Sequence, residues 1–253
     1  MKKLSKLIAI IISILAIITF LLILPTLKLK TNAMKTKESQ HFNFYYEEKD
    51  KKAIEDIEKA LENMYKSINE SMDFTNRSKS KVYIYGDLKT LHKKKYGYLG
   101  TMLGPDWYIG DNIKDKIIIV SPLNPGTEHN YESIVQAAVH EYVHTVVYQI
   151  NKKAPKFLNE GLAGYLSGNT KPNYKINAIP TIEDTKISNP IKFGNSGMYG
   201  ASYTYIHFLE EEYGMDKVLS LVKNPKDYEK IFGVSEDDIY NNWIEFIRRE
   251  YAE

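Results

Sequence analysis

The residues in this chain best suited to do chemistry are His140-Glu141-Tyr142-Val143-His144. Apolar residues around them recur at helical spacing from Tyr131 to Ile150, which predicts one helix over that span. Histidines four apart on a helix lie about 40° apart around its axis, so both imidazoles leave one face. Two imidazoles so placed can come within about 2.1 Å of one zinc ion. Glu141 flanks the same face, where it can reach a water rather than the metal, as a general base must. From these five residues alone, a surface helix with two unconnected histidines reads the same way.

The next stretch narrows the choice. A catalytic zinc takes three protein ligands and keeps a fourth position open. Beyond His144 comes Phe157-Leu158-Asn159-Glu160-Gly161-Leu162-Ala163-Gly164-Tyr165. Pro155 can start a second helix, running to about Leu166, with Lys152-Lys153 in the turn before it. A helix pair joined this way can bring Glu160 beside the two histidines. The small residues Gly161, Ala163 and Gly164 are expected to let the two backbones approach closely.

Taken together, His-Glu-x-x-His and Leu-Asn-Glu-Gly-x-Ala-x-Tyr resemble the signature of the gluzincin zinc metallopeptidases. That signature is shared by the aminopeptidase N family and the smaller peptidase MA-like domains. At the level of pattern the resemblance extends over residues 41–253, including an edge-like strand at 117–120 and the segment Tyr199 to Leu209. It implies a zincin-like fold and one Zn2+ per chain, held by His140, His144 and Glu160. It implies peptide-bond hydrolysis of a peptide or protein substrate, with Glu141 as general base. It also implies a tyrosine that stabilises the oxyanion. Tyr199 aligns best, Tyr203 is the substitute one turn on, and His207 reads as an ordinary helix histidine.

Two departures from the family pattern matter. Aminopeptidases carry Gly-x-Met-Glu-Asn upstream of the zinc helix, and its acid holds the substrate's free amine. Here Ile119 to Gly126 has no acid, and Glu128 is the nearest carboxylate. An endopeptidase is therefore expected, with strand 117–120 either available to pair with an extended substrate or an interior strand with four core side chains. Thermolysin-like enzymes place an aspartate four residues after the third ligand, where this chain has Gly164, so the outer hydrogen bonds to the zinc histidines must come from elsewhere. Two rival readings follow from the same residues. One is a zinc-containing binding or regulatory domain without turnover, against which the intact Glu141 argues. The other is a closed structural zinc site, whose fourth ligand could be only His41, His92, His129 or His207 among the histidines.

The elements that must position this site read as an α+β protein. Phe42–Tyr46, Val82–Tyr85 and Ile117–Val120 are strand-like, and 97–115 reads as a loop or hairpin. A long helix carries Ile54, Ile57, Leu61, Met64, Tyr65, Ile68 and Met72, with Asp50 as its cap, and a short basic helix covers 87–96. After residue 130 the chain is mainly helical, with a less ordered stretch at 168–195. Helices are expected from Ser196 to Tyr213, behind Asp216 as a cap, and behind the capping box Ser235 to Asp238. This predicts a small N-terminal mixed α/β sheet lobe (41–130) packed on a mainly helical C-terminal lobe (131–253), with the site at their junction.

Residues 1–27 read as a membrane element. Lys2, Lys3 and Lys6 precede an apolar run from Leu7 to Leu24, broken only by Ser13 and Thr19 and ended by Pro25. Eighteen helical residues span about 27 Å, near the thickness of a bilayer's hydrocarbon. The length favours an uncleaved single-pass anchor, with the body outside the cytoplasmic membrane, over a secreted form cleaved near Thr31-Asn32-Ala33. Residues 28–40 are polar and read as a linker. The 253 residues hold 34 basic and 32 acidic side chains. Setting aside the five lysines of residues 1–33 leaves 29 against 32, a charge of −3, which gives no reason to expect nucleic acid as a partner. No cysteine is present, so disulfides and thiolate metal sites are excluded.

Overall fold

The fold is described from a computed structural model covering residues 2–75, 78–172, 176 and 179–251, with side chains from Lys6 onward. The chain opens with α1 (Lys2–Ile23) and a 3-10 turn at Leu24–Leu27. Then follow β1 (Lys35–Glu38), β2 (Phe42–Tyr46), α2 (Lys51–Ser71), β3 (Ser80–Tyr85), α3 (Leu88–Tyr96), α4 (Gly100–Leu103), β4 (Gly110–Ile113) and β5 (Lys116–Val120). The remainder is helical: α5 (Tyr131–Ile150), α6 (Lys156–Ser167), α7 (Pro190–Asn195), α8 (Met198–Tyr213), α9 (Met215–Lys223), α10 (Tyr228–Phe232) and α11 (Glu236–Glu250). The protein is α+β, 61% helical, with one five-stranded mixed sheet and an apolar N-terminal helix. Within the stretch 168–195, residues 173–175 and 177–178 lie outside the described residues.

The strand order is β1-β2-β3-β5-β4. The inner pairs β2–β3 and β3–β5 are parallel, and the outer strands β1 and β4 run antiparallel to their neighbours. Parallel neighbours need a crossover, and α2 supplies it between β2 and β3. Successive strand residues point to opposite faces, yet Ile117, Ile118, Ile119 and Val120 are all fully buried. Both faces of β5 are therefore covered, which is why its sequence is an unbroken apolar run.

This corrects the expectation of an edge at 117–120. The edge is β4, inside the stretch that reads as loop or hairpin. Gly110-Asp111-Asn112-Ile113 has little intrinsic strand preference; it is held by its ladder to β5 across a tight turn with Lys114 at φ 59°. A second correction concerns the 28–40 linker, which includes β1. Its Lys-Thr-Lys-Glu sequence is polar because it lies on the opposite sheet edge, where Lys35 pairs with Glu48 and Lys37 with Glu58 at 2.5 Å each.

Helix starts follow local chemistry. Asn130 and Ser133 form a capping box for α5, and Ser235 and Asp238 form one for α11. Asp50 stands at the cap position of α2, but its carboxylate turns inward and accepts from Ser121 Oγ at 2.6 Å. Asp216 sits in the first turn of α9, and Gly214 holds the cap position expected of it.

A single hydrophobic core runs from Met34 to Ile247. In its helical part, Trp243 packs against Phe157 and Tyr205 and donates its indole N–H to Thr204 Oγ1 at 3.1 Å. The two glycines of α6 serve neighbours other than α5. A Cβ on Gly161 would overlap the Ser202 carbonyl oxygen of α8, and one on Gly164 would meet the Thr170 hydroxyl. Because the Ser202 obstacle is backbone, Gly161→Ala is expected to cost about 1–3 kcal/mol. Urea unfolding of the parent and variant measures it, and an unchanged midpoint would show that α6 and α8 have room to separate.

Candidate metal centre

Helix α5 is buried on most of its circumference between Ala137 and Val147, so His140, Glu141 and His144 are all withdrawn from solvent. Helix α6 packs beside it and presents Glu160. These four residues are only 6–8% exposed. Glu160 Oε2 lies 3.4 Å from His140 Nε2 and 3.3 Å from His144 Nε2. Those separations are long for a hydrogen bond. They match the edge, about 3.3 Å, of a tetrahedron whose arms are the ~2.0–2.1 Å of zinc–nitrogen and zinc–oxygen bonds. Candidate ligand atoms of all three residues lie within 4.8 Å of one another, and these residues form a buried group that could hold a metal ion.

The surrounding bonds orient these ligands. His144 Nδ1–H donates to Asn159 Oδ1 at 2.9 Å, which turns Nε2 towards Glu160. Lys156 Nζ donates to Glu160 Oε1 at 2.6 Å, on the oxygen turned away from the histidines. The sequence names no outer partner for the two histidines; Asn159, adjacent to Glu160, is that partner for His144. His140 Nδ1 and Glu141 Oε2 are buried with no protein partner. Among the described residues no third histidine joins the group. His129 Nε2 donates to the Trp107 carbonyl at 2.9 Å, His92 Nε2 to that of Tyr108, His41 pairs with Glu62, and His207 bonds to the Tyr251 hydroxyl.

The centre opens on a cleft of about 570 Å³ between β4, α5, α6 and the start of α8. Trp107 and Tyr108 line it, as does Tyr199. Tyr203 instead packs against Tyr165, with ring centroids 5.3 Å apart, away from the cleft lining. Glu128 is exposed and outside the lining. The additional carboxylate that does face the cleft is Asp111, on β4. Lys95 Nζ binds it at 2.6 Å and the Tyr108 hydroxyl donates to it. The sequence carries no signal for Asp111, since β4 does not look like a strand.

Electrostatically the group is tense. Burial pushes the Glu141 carboxyl up to about 8; the charge of His144 opposes this, and the carboxylates of Asp111 and Glu160 add to it. Burial pulls His140 down. Burial also works against charge on His144, but Glu160, Glu141 and the Asn159 bond outweigh it and raise His144 to about 9. Glu160 is held well below the usual carboxylate range, because His144, His140 and Lys156 overcome its burial. Burial, then Glu160 and Glu141, raises Tyr199, so its hydroxyl remains a donor.

Comparisons with protein-family models, with curated proteins and with solved structures returned no match. The reading of the site therefore rests on its geometry and chemistry.

A raised folded pKa means that Glu141 contributes stability present below its ordinary value of 4.5 and lost as pH climbs through about 8. Chelator-treated parent protein should lose stability over that window more steeply than Glu141→Gln. The decline due to His144 continues towards 9 in the parent and should be smaller in the variant, because the Glu141 charge helps to raise His144. Urea titrations across the window test this, and equal slopes would show that Glu141 is ionised in the fold.

Proposed function

We propose that the chain is a zinc-dependent peptidase of zincin-like fold, a mixed sheet lobe packed on a helical lobe, that cuts inside peptide chains. The observation that carries the reading is the convergence of His140, His144 and Glu160 at tetrahedral spacing, with Glu141 beside them in an open cleft. The nitrogen and oxygen donors suit a borderline cation, and no fourth protein ligand among the described residues closes the site. Zinc, when bound there, supplies Lewis acidity for a water and a scissile carbonyl. Glu141 is then the base. Its buried carboxylate takes a proton readily and can deliver it to the departing nitrogen. Tyr199, kept protonated, donates to the oxyanion.

The substrate's path follows β4 rather than 117–120. β4 is an outermost strand with no ladder partner on its far side; Lys95 Nζ donates to the Asn112 carbonyl there at 3.2 Å, and an extended peptide can add along the rest of that edge. The charge of Asp111 is already matched by Lys95 and Tyr108, so it does not offer a free acid for a substrate ammonium. Leaving an ammonium desolvated and unpaired costs several kcal/mol, which disfavours aminopeptidase action. The α1 span is long and apolar enough to cross a membrane. We assign it as a single-pass anchor with the body outside the cytoplasm.

The protein should bind one zinc ion, and His140→Ala, His144→Ala and Glu160→Ala should each lose it by metal analysis. Asn159→Ala should weaken binding by about 10–100-fold. Glu141→Gln should keep the metal and lose about 10²–10⁴ in turnover. Full zinc affinity in Glu160→Ala would sink the ligand set, and parent protein that binds zinc but cleaves nothing in a proteome-derived peptide library would point to a binding domain. The mode of cleavage has its own test: acetylating the N-terminus of an internally quenched peptide should leave its cleavage nearly unchanged. If acetylation abolished cleavage, the enzyme would be an aminopeptidase, with Asp111 as the first candidate for its amine anchor.

A further inference from the structure

From the end of α3 towards β4 the chain carries an exposed apolar patch, of which Tyr96 alone also lines the cleft. Met102 is 81% exposed and Leu103 76%, and Tyr96, Tyr98 and Leu99 are each about half exposed. Side chains of this size gathered on one surface mark a contact with something apolar. The patch continues directly from the end of the membrane span. The backbone N–H of Tyr98 donates to the Leu22 carbonyl in the last turn of α1, at 2.9 Å. Gly97, at φ 73°, passes so close to Leu22 that a Cβ would overlap that same oxygen. Leu24 and Leu27, just past α1, are also exposed.

The segments flanking the patch are rich in lysine, and of these Lys35, Lys37 and Lys95 pair with Glu48, Glu58 and Asp111. Residues 88–105 contain Lys89, Lys93, Lys94 and Lys95 and no acid, and residues 24–37 contain Lys28, Lys30, Lys35 and Lys37 and no acid. Lys94 Nζ donates to the Lys28 carbonyl at 2.5 Å, which draws the two segments together. Burial, then the charges of Lys93 and Lys28, lowers the Lys94 pKa, as expected of a cation among cations. Lys93 lies 4.3 Å over the Tyr98 ring. Exposed Leu and Met, flanked by tyrosines and rimmed with lysines, are the composition of a surface that sits in a bilayer interface with anionic headgroups.

We propose that the 96–103 segment inserts into the bilayer leaflet from which α1 emerges, giving the body a second membrane contact beside its span. This rests on reading α1 as a membrane span. Its consequence for the proposed peptidase is positional. Tyr96 and Lys95 line the cleft as well as adjoining the patch, and His92 braces the segment against the cleft wall through the Tyr108 carbonyl at 3.0 Å. The cleft is thereby held near the membrane surface, and its substrate is a peptide segment presented there, such as the stalk of another membrane-anchored chain.

The absence of cysteine makes the test clean. Full-length Met102→Cys, Ile14→Cys and Lys226→Cys, each carrying a nitroxide, are placed in nanodiscs containing phosphatidylglycerol. Relaxation by oxygen and by a water-soluble nickel chelate then reports what surrounds each label. Lipid is expected around the labels at positions 14 and 102, with high oxygen and low nickel access, and water around the label at 226. Lipid at 14 with water at 102 would overturn the proposal while leaving the span intact. Water at 14 would overturn the span and the proposal with it. Low access of both relaxants at 102 would mean a protein contact, such as a second copy, in place of lipid, and would also overturn it. Leu103→Cys repeats the measurement at a neighbouring exposed site and guards against a local effect of the label.

Discussion

Three ionisable groups removed from water together impose the main constraint on this molecule. His140, His144 and Glu160 are each at least nine-tenths buried, with both imidazoles 3.3–3.4 Å from one carboxylate oxygen. A lone buried carboxylate or imidazolium would be costly, so α5 and α6 must deliver the three to the same point. The other carboxylate oxygen is met by Lys156 and one outer imidazole nitrogen by Asn159. With those contacts made, Glu160 Oε2 and the two Nε2 atoms face the place where the ligand atoms converge, while His140 Nδ1 and Glu141 Oε2 are buried without a protein partner. A cation there would replace protons that the group otherwise has to share.

The scaffold answers that constraint in layers. The buried strand β5 and helix α2 back α5, and α8 backs α6 through the close approach at Gly161. The cleft then forms where β4 faces the two helices. Its polar wall is a chain of local pairings, Lys95 to Asp111 and Tyr108 to Asp111, with His92 and His129 holding the carbonyls of Tyr108 and Trp107. Loop aromatics are thus fixed by hydrogen bonds from behind rather than by packing alone. The same segment leads to the exposed tyrosines and leucines beside α1, so the cleft wall and the exposed apolar patch are parts of one stretch of chain.

The elements with strong periodicity are legible in the order of residues alone. Helix α2 shows its apolar stripe at Ile54, Ile57, Leu61 and Ile68, and the capping box at Ser235 places the start of α11. The spacing of His140 and His144 and the helix carrying Glu160 are legible for the same reason. The elements that mislead are those whose own residues are ambivalent. Gly110–Ile113 and Lys35–Glu38 are strands because a neighbour offers them a ladder, and an outer strand need not be apolar. Reading β5 as an edge fails likewise, since an apolar run identifies a buried strand without naming its neighbours. Asp50 shows the limit on helix caps: its type suits the position, but a buried hydroxyl on Ser121 competes for its carboxylate.

By itself, then, the sequence determined which residues share a helix face, where the long helices begin and end, and which donor atoms are available to a metal. Those properties depend on the 3.6-residue period and on side-chain chemistry, both of which act over a few residues. Only the tertiary structure decided what lies opposite each face. It selected Asn159 and Lys156 as the partners of the ligands, set Asp111 rather than Glu128 at the cleft, placed Tyr199 in the lining and Tyr203 outside it, and turned Gly161 towards α8. These outcomes depend on pairs of residues from separate elements brought together by the burial of one common core, and no local spacing encodes them.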